Sequence, residues 1–430
     1  MAAAVANPPK HVCCLCRRKF PGAEALSRHE LLSDLHRQNL ERQDALVQQH
    51  KDQVLGSIMA TRHQIHETSD SEAGRRGQLE TQLRHLLGEY GQAQEMLEHS
   101  RHAHEGSAAW REERAMPPNA GEARLGKLLL HAGAATWQGG KESQEDRHFL
   151  DLELVSPEGH AIPGYCVLDG HAGSRCVEHV LERLAANLQT CLSAKLALTE
   201  ENLKLSVIEA CARTDEEFLA GARQQNLIDG STMILGLFFE EAQASAQSPR
   251  TRLLIANLGD SRAVLCRAWE QQLNALRLSD DHKPNRQDEK QRIEARGGVV
   301  ALHGVWRVFA PAPMTFSGRV IPRSGLAVSR AFGDILLKEP ERFGCNIVAP
   351  GGLVSAIPEL SVFEVDPNSD RFLVLACDGI WDVLRDDDAV AVCASQAGPE
   401  LAAHALVRHA FAAGSGDNLT AVVVSWQQAD

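Results

Sequence analysis

Five short stretches after residue 140 place carboxylates where an apolar run meets glycine or begins. Val167-Leu168-Asp169-Gly170, Asn257-Leu258-Gly259-Asp260 and Ala376-Cys377-Asp378-Gly379 each end a run. Asp417-Asn418 stands just before LTAVVV, after Gly414-Ser415-Gly416, and Glu145-Asp146 precedes the run around Phe149. A single aspartate of this kind is ordinarily a turn residue. Five sets at strand ends of one domain instead gather oxygen ligands, which hard cations such as Mg²⁺ and Mn²⁺ take together with water. Two such ions about 3.5–4 Å apart can activate a water and stabilise an in-line phosphoryl displacement. Without ions or protons the same carboxylates would repel one another.

The elements that must position these groups are legible from about residue 125 onward. GYCVLDGH, STMILGLFFE, RLLIANLGDSRAVLCR, RFLVLACDG and NLTAVVVSW are short runs rich in Val, Leu, Ile and Phe, bounded by Gly and Asp, and predict strands. Ser174–Cys191 and Glu200–Arg223 predict helices, the second with Leu203, Val207, Ala210, Cys211 and Phe218 on one face. Strands and helices arranged in blocks predict an α+β domain over residues 125–430.

Residues 125–428 resemble the metal-dependent Ser/Thr protein phosphatases of the PP2C (PPM) type. KESQEDRHF, YCVLDGHAG, DGSTM, ANLGDSRAVL, LSDDHKP, RIEARGG, GLAVSRAFGD, IPEL, LACDGIWDVL and GSGDNLTAVVV occur in that family's order. The resemblance implies a four-layer sandwich, two antiparallel sheets flanked by helices, with the metals in a cleft at one end. It implies that Asp169 bridges two Mg²⁺ or Mn²⁺ ions and that Gly170 offers a carbonyl. Asp378 and Asp417 would hold the first ion and Glu145 the second, with Asp146 binding water around it. Asp260, Asp382 and Asp378 resemble a weaker third site. His171 resembles the general acid for the leaving alkoxide, and its unperturbed pKa near neutrality suits that role. The implied reaction is in-line attack by a metal-bound hydroxide on phosphoserine or phosphothreonine in proteins. Three positions depart from the pattern. Lys141 stands for a phosphate-binding Arg, keeping the charge but losing the bidentate fork. Gln144 stands for Met and Ala172 for Gly. Arg330 either joins Lys141 in binding phosphate or supports the cleft. His303–Ser324 occupies the family's flap, where Trp306, Phe309, Pro311 and Pro313 offer a phosphopeptide surface or pack on their own domain.

A separate constellation lies at the N-terminus. Cys13-x2-Cys16-x12-His29-x6-His36 has the ligand types and order of a closed, structural Cys₂His₂ zinc site, with Cys14 as a spare. The stretch CLCRRKFPGAEALSRHELLSDLHRQN resembles the single finger of the RNA-binding-motif splicing regulators. Residues 1–37 carry 6 basic and 3 acidic side chains, so RNA or a protein could dock on residues 1–40. Residues 41–104 predict a helical spacer or coiled coil. Leu79, Leu83, Leu86, Tyr90, Ala93 and Leu97 form a short heptad seam there, and Leu40, Val47, Val54 and Ile58 a weaker stripe. Residues 105–124, with Pro117-Pro118, predict a linker.

Composition sets the outer bounds. The 430 residues are 43% hydrophobic, enough for a large core, and carry a net charge of −13, which argues against a general nucleic-acid binder. That charge is not shared: residues 1–130 hold 17 basic and 17 acidic residues, leaving 27 and 40 in the remainder. No run of 18 apolar residues predicts a membrane span, no secretory h-region precedes Lys10, and Ala2 excludes myristoylation. Of 11 cysteines, 8 are scattered singly, in keeping with a reducing compartment, and the finger's resemblance implies a nuclear or cytoplasmic location. Two rivals to an active, finger-targeted phosphatase follow. One is a catalytically weak phosphoprotein sensor, suggested by Lys141, Gln144 and Ala172; the other is an RNA-targeted adaptor.

Overall fold

The computed structural model describes residues 11–13 and 18–20, isolated positions between 54 and 83, and residues 120–430 except 242–249, 271, 322–324, 350 and 429–430. The chain forms two units, Met1–Pro118 and Asn119–Asp430. In the first, His11–Cys13 pairs antiparallel with Arg18–Phe20, with Cys13 opposite Arg18. The described positions of residues 54–64 and 75–83 are helical, and Val54 and Ile58 of the weaker stripe are buried. Cys14, Cys16, His29, His36 and the heptad positions from Leu86 to Leu97 lie outside the described residues, as do residues 105–119.

The second unit is built on two antiparallel sheets. Its strands are β1 (Ala120–Leu125), β2 (Leu128–Trp137), β3 (Arg147–Val155), β4 (Ala161–Leu168), β5 (Met233–Glu241), β6 (Arg250–Leu258), β7 (Arg262–Trp269), β8 (Gln272–Arg277), β9 (Glu359–Glu364), β10 (Asp370–Ala376) and β11 (Leu419–Gln428). One sheet has the order β9-β6-β5-β4-β3 and the other β8-β7-β10-β11-β2-β1. Central strands are covered on both faces, so β5 reads MILGLFF without alternation and all seven of those residues are buried. The first strand begins at Ala120, inside the stretch expected to be linker. As an edge strand it alternates exposed and half-buried positions and carries no apolar run to betray it.

Helices α1 (Arg175–Ser193) and α2 (Glu200–Gln225) cover the five-stranded sheet, and α4 (Asp386–Ala394) and α5 (Pro399–Ala412) the six-stranded one; α3 (Gln287–Ala295) lies between β8 and β9 in sequence. α1 buries Val177, Val180, Leu184, Leu188 and Leu192, a stripe of helical period that enters one core with Leu152, Leu237 and Phe239. α2 starts at Thr199, whose hydroxyl accepts from the Asn202 N–H, and ends at Asn226 in the left-handed region. All five residues expected on its inner face are buried. The flap stretch takes part in two hairpins, one with the preceding strand (Val299–His303 with Val305–Phe309) and one of its own (Met314–Phe316 with Arg319–Ile321). Phe309 and Met314 are buried, whereas Trp306 is 39% exposed. No helix among the described residues is long and apolar enough to cross a membrane.

Candidate active site

Each carboxylate is delivered by an element end. Asp169 follows the buried end of β4, and its carbonyl accepts from the Thr232 N–H at 2.8 Å. Next, Gly170-His171 pairs with Gly230-Ser231, which pairs in turn with Phe332-Gly333. This small ladder sets His171 beside Asp334. A Cβ at Gly170 would lie 2.5 Å from the Glu145 carbonyl, and one at Gly230 only 2.2 Å from His171 Nε2, so both positions need glycine. Asp260 lies in the β6–β7 turn after Gly259, while Asp378 and Asp382 begin and cap a one-turn helix after β10. Asp417 stands before β11, where Asn418 ties two loops together. Its Oδ1 accepts from the Glu145 N–H at 2.9 Å, and its Nδ2 donates to the carbonyls of Gln138 and Ser143.

Asp169, Asp260 and Asp378 converge, with one carboxylate oxygen from each lying within 4.8 Å of the others. Burial pushes the Asp169 and Asp378 carboxyls well above the usual range, and neighbouring carboxylates push them further. Burial likewise takes Asp146 up to about 6, offset only in part by the nearby Thr420 and Cys377 side chains. Both Asp146 oxygens are buried without a hydrogen-bond partner. A buried pair of acceptors beside a convergent, oxygen-only cluster fits hard divalent ions and their water better than it fits a finished protein interior. Asp382 stands at the rim, with its side chain 66% exposed.

Cations border the cluster. Lys141 Nζ is 2.6 Å from Asp417 Oδ1, and Lys283 Nζ is 2.5 Å from Asp260 Oδ2. Arg330 is held by the wall of the site. Its Nε and Nη2 donate to buried Glu289 and its Nη1 to the Ile357 carbonyl, so all three guanidinium nitrogens are engaged and the residue braces the wall. Gln144 bridges its immediate surroundings. The side-chain amide donates to Thr136 Oγ1 at 2.7 Å, and the side-chain carbonyl accepts from the Asp146 N–H at 2.9 Å. Ala172 adopts φ +59°, a region costly for any Cβ. Ala172→Gly is expected to raise stability by about 0.5–1 kcal/mol in chemical denaturation; a loss of stability would mean that the methyl packs usefully.

Sequence reading missed two partners. Asp334 faces His171, with Nε2 3.0 Å from each carboxylate oxygen. Burial works against protonation of the ring, but the Asp334 charge and hydrogen bond outweigh it and raise the His171 pKa. Asp334 itself adopts φ +54°, and its N–H donates to the Asp229 carbonyl. The second is Lys283. Both lie inside motifs that carry the resemblance, GLAVSRAFGD and LSDDHKP, yet an isolated Asp after Gly or a Lys before Pro signals only a turn.

Residues 130–419 match the family model "Protein phosphatase 2C", and residues 5–52 match a domain of unknown function. A rice protein (Oryza sativa subsp. japonica), "Probable protein phosphatase 2C 52", is 38% identical over 299 residues, 70% of this chain and 51% of that one. "Probable protein phosphatase 2C 76" of Arabidopsis thaliana is 37% identical over 298 residues, 69% of this chain and 59% of that one. The chain therefore spans between half and three-fifths of the length of these two relatives. The solved serine-threonine phosphatase 2C from Toxoplasma gondii superposes with a TM-score of 0.55 at 26% identity, covering 72% of this chain and 100% of that one. With the two-sheet sandwich and its carboxylate-lined end, these matches show that the chain belongs to the protein phosphatase 2C family.

Proposed function

We propose that the chain is a metal-dependent protein phosphatase that hydrolyses phosphoserine and phosphothreonine in proteins. The observation that carries this reading is the convergence of Asp169, Asp260 and Asp378 beside the unpartnered, buried carboxylate of Asp146. Asp169, the Gly170 carbonyl, Asp378, Asp417 and Glu145 would hold two Mg²⁺ or Mn²⁺ ions, and Asp260 and Asp382 with Asp378 a third. Bound there, the ions would activate water and offset the phosphate charge.

The chain's own groups do the rest. Asp146, whose two buried oxygens have no hydrogen-bond partner, is placed to accept hydrogen bonds from water and orient it. Lys141 lies at the mouth, half exposed, and offers a single ammonium to the phosphate. His171 supplies the proton to the leaving serine or threonine oxygen. Its Nε2 faces Asp334, which leaves Nδ1 as the nitrogen to serve the substrate. Arg330 supports through Glu289. The hydrogen bonds of Gln144 give this departure from the family pattern a structural reason, which favours an active enzyme over a phosphoprotein sensor. Targeting through residues 1–40, with a structural zinc on Cys13, Cys16, His29 and His36, belongs to the same proposal. Its support is the ligand spacing and the local positive charge, which would suit RNA or an acidic protein partner.

Phosphate release from a phosphothreonine peptide by the full chain tests the reading. Turnover is expected with Mg²⁺ or Mn²⁺, a fall of at least about 10³-fold in chelator, and recovery when the ion is restored. Equal turnover in chelator would overturn the metal assignment. No turnover under any condition would leave the sensor reading.

A further inference from the structure

The acidic cluster already contains a cation supplied by the chain. Lys283 Nζ lies 2.5 Å from Asp260 Oδ2 and 4.0 Å from both Asp378 Oδ2 and Asp382 Oδ1. One ammonium thus faces all three carboxylates at the outer side of the site. We propose that Lys283 is a tethered counter-ion that holds this position in the metal-free protein and must be displaced before a divalent ion can enter it. The inference rests on the reading of these carboxylates as ion ligands and adds what sets the weakness of the outermost one.

The tether is fixed by the residue before it. His282 is fully buried, and its N–H donates to the Gly259 carbonyl at 2.9 Å. In return the Gly259 N–H donates to His282 Nδ1 at 3.0 Å, while Nε2 faces Glu359. The His282 carbonyl accepts from both the N–H and the hydroxyl of Ser329. Gly259 precedes Asp260, so one buried ring locks the backbone of the lysine to that of its carboxylate partner. The pairing is therefore built into the fold.

The side chain itself is not enclosed. Lys283 is 36% exposed, so its four-carbon stem has solvent into which it can turn. The enclosed pair Lys338–Asp215 behaves differently, with side-chain exposures of 7% and 9%, and has no such freedom. An ammonium and a divalent ion cannot share the space between three carboxylates, because their repulsion at about 4 Å far exceeds thermal energy even in a partly polar medium. Binding of the outer ion is therefore an exchange of one cation for another, and its net affinity falls by what the lysine gave up. Of the three carboxylates that Lys283 faces, only Asp378 also serves the inner ions, and it lies 4.0 Å from Nζ against 2.5 Å for Asp260, so the penalty falls mainly on the outer ion.

The experiment is calorimetric titration of the full chain with Mn²⁺, comparing wild type with Lys283→Met and Lys283→Arg. Met keeps the length of the stem without the charge, and Arg keeps the charge. In Lys283→Met the weakest class of sites is expected to tighten by about tenfold or more while the tightest class moves by less than about threefold. Lys283→Arg should stay as weak as wild type. In chelator, Lys283→Met should also melt below wild type, having lost its counter-ion, and Mn²⁺ should close that gap. Superimposable isotherms for wild type and Lys283→Met, or a weakened outer site in Lys283→Met, would overturn the inference. Wild type that takes up Mn²⁺ tightly, with an unchanged weak class in Lys283→Met, sinks this inference alone. Wild type that takes up no ion sinks the metal reading with it.

Discussion

Asp169→Asn is expected to reduce phosphate release from a phosphothreonine peptide by at least about 10³-fold while leaving the fold intact. The position belongs to the convergent cluster, with oxygens of Asp260 and Asp378 both within 4.8 Å of its own. Asparagine keeps the shape and one acceptor oxygen but removes the charge that would hold two cations. The main chain should not move, because the Asp169 carbonyl is fixed by Thr232 and the next two residues by the Gly230-Ser231 ladder. Stability supplies an independent sign. Burial and neighbouring carboxylates make the ionised Asp169 unfavourable in the metal-free protein. Neutralising it should therefore raise the melting temperature in chelator, and it should diminish the extra stabilisation that Mg²⁺ or Mn²⁺ gives the wild type. Lost turnover joined to a more stable metal-free protein is the signature of a ligand carboxylate. Lost turnover with a less stable protein would make Asp169 a structural residue, and turnover near that of wild type would sink the assignment.

The sequence exposed most of this geometry because the aspartates at issue sit beside glycines at the ends of largely apolar strands. Leu168, Leu258 and Ala376 are buried, and the burial that makes each run readable also fixes where its carboxylate emerges. Helix α2 was equally plain, since its inner face repeats at helical spacing. Four features are hidden, each for its own reason. The edge strand Ala120–Leu125 has no apolar run. Asp334 and Lys283 are remote from the cluster residues they meet, by 163 positions for Asp334 and His171 and by 23 for Lys283 and Asp260. No periodicity records such a meeting. Arg330 is ambiguous in the sequence because an arginine serves phosphate and carboxylate alike, and the buried Glu289 that it meets carries no signal of its own.

His171→Ala is expected to slow hydrolysis of a phosphothreonine peptide by about 10²-fold or more, and that of p-nitrophenyl phosphate by much less. The difference comes from the leaving group. A threonine alkoxide is a strong base and needs a proton as the P–O bond breaks, whereas p-nitrophenolate leaves readily as an anion. The ring is well placed to give that proton. It is mostly enclosed, with its side chain 25% exposed, and Nε2 lies 3.0 Å from both Asp334 oxygens, which fixes the plane of the imidazole. Asp334 can face it only because its own backbone turns through the left-handed region and because Gly230 leaves the space between them empty. The same contacts separate chemistry from architecture. Loss of a merely structural ring would loosen the ladder Gly170-His171, Gly230-Ser231 and Phe332-Gly333 and slow both substrates alike. A selective loss on the alkyl phosphate, with an unchanged melting temperature, identifies a proton donor; equal loss on both substrates rejects that role.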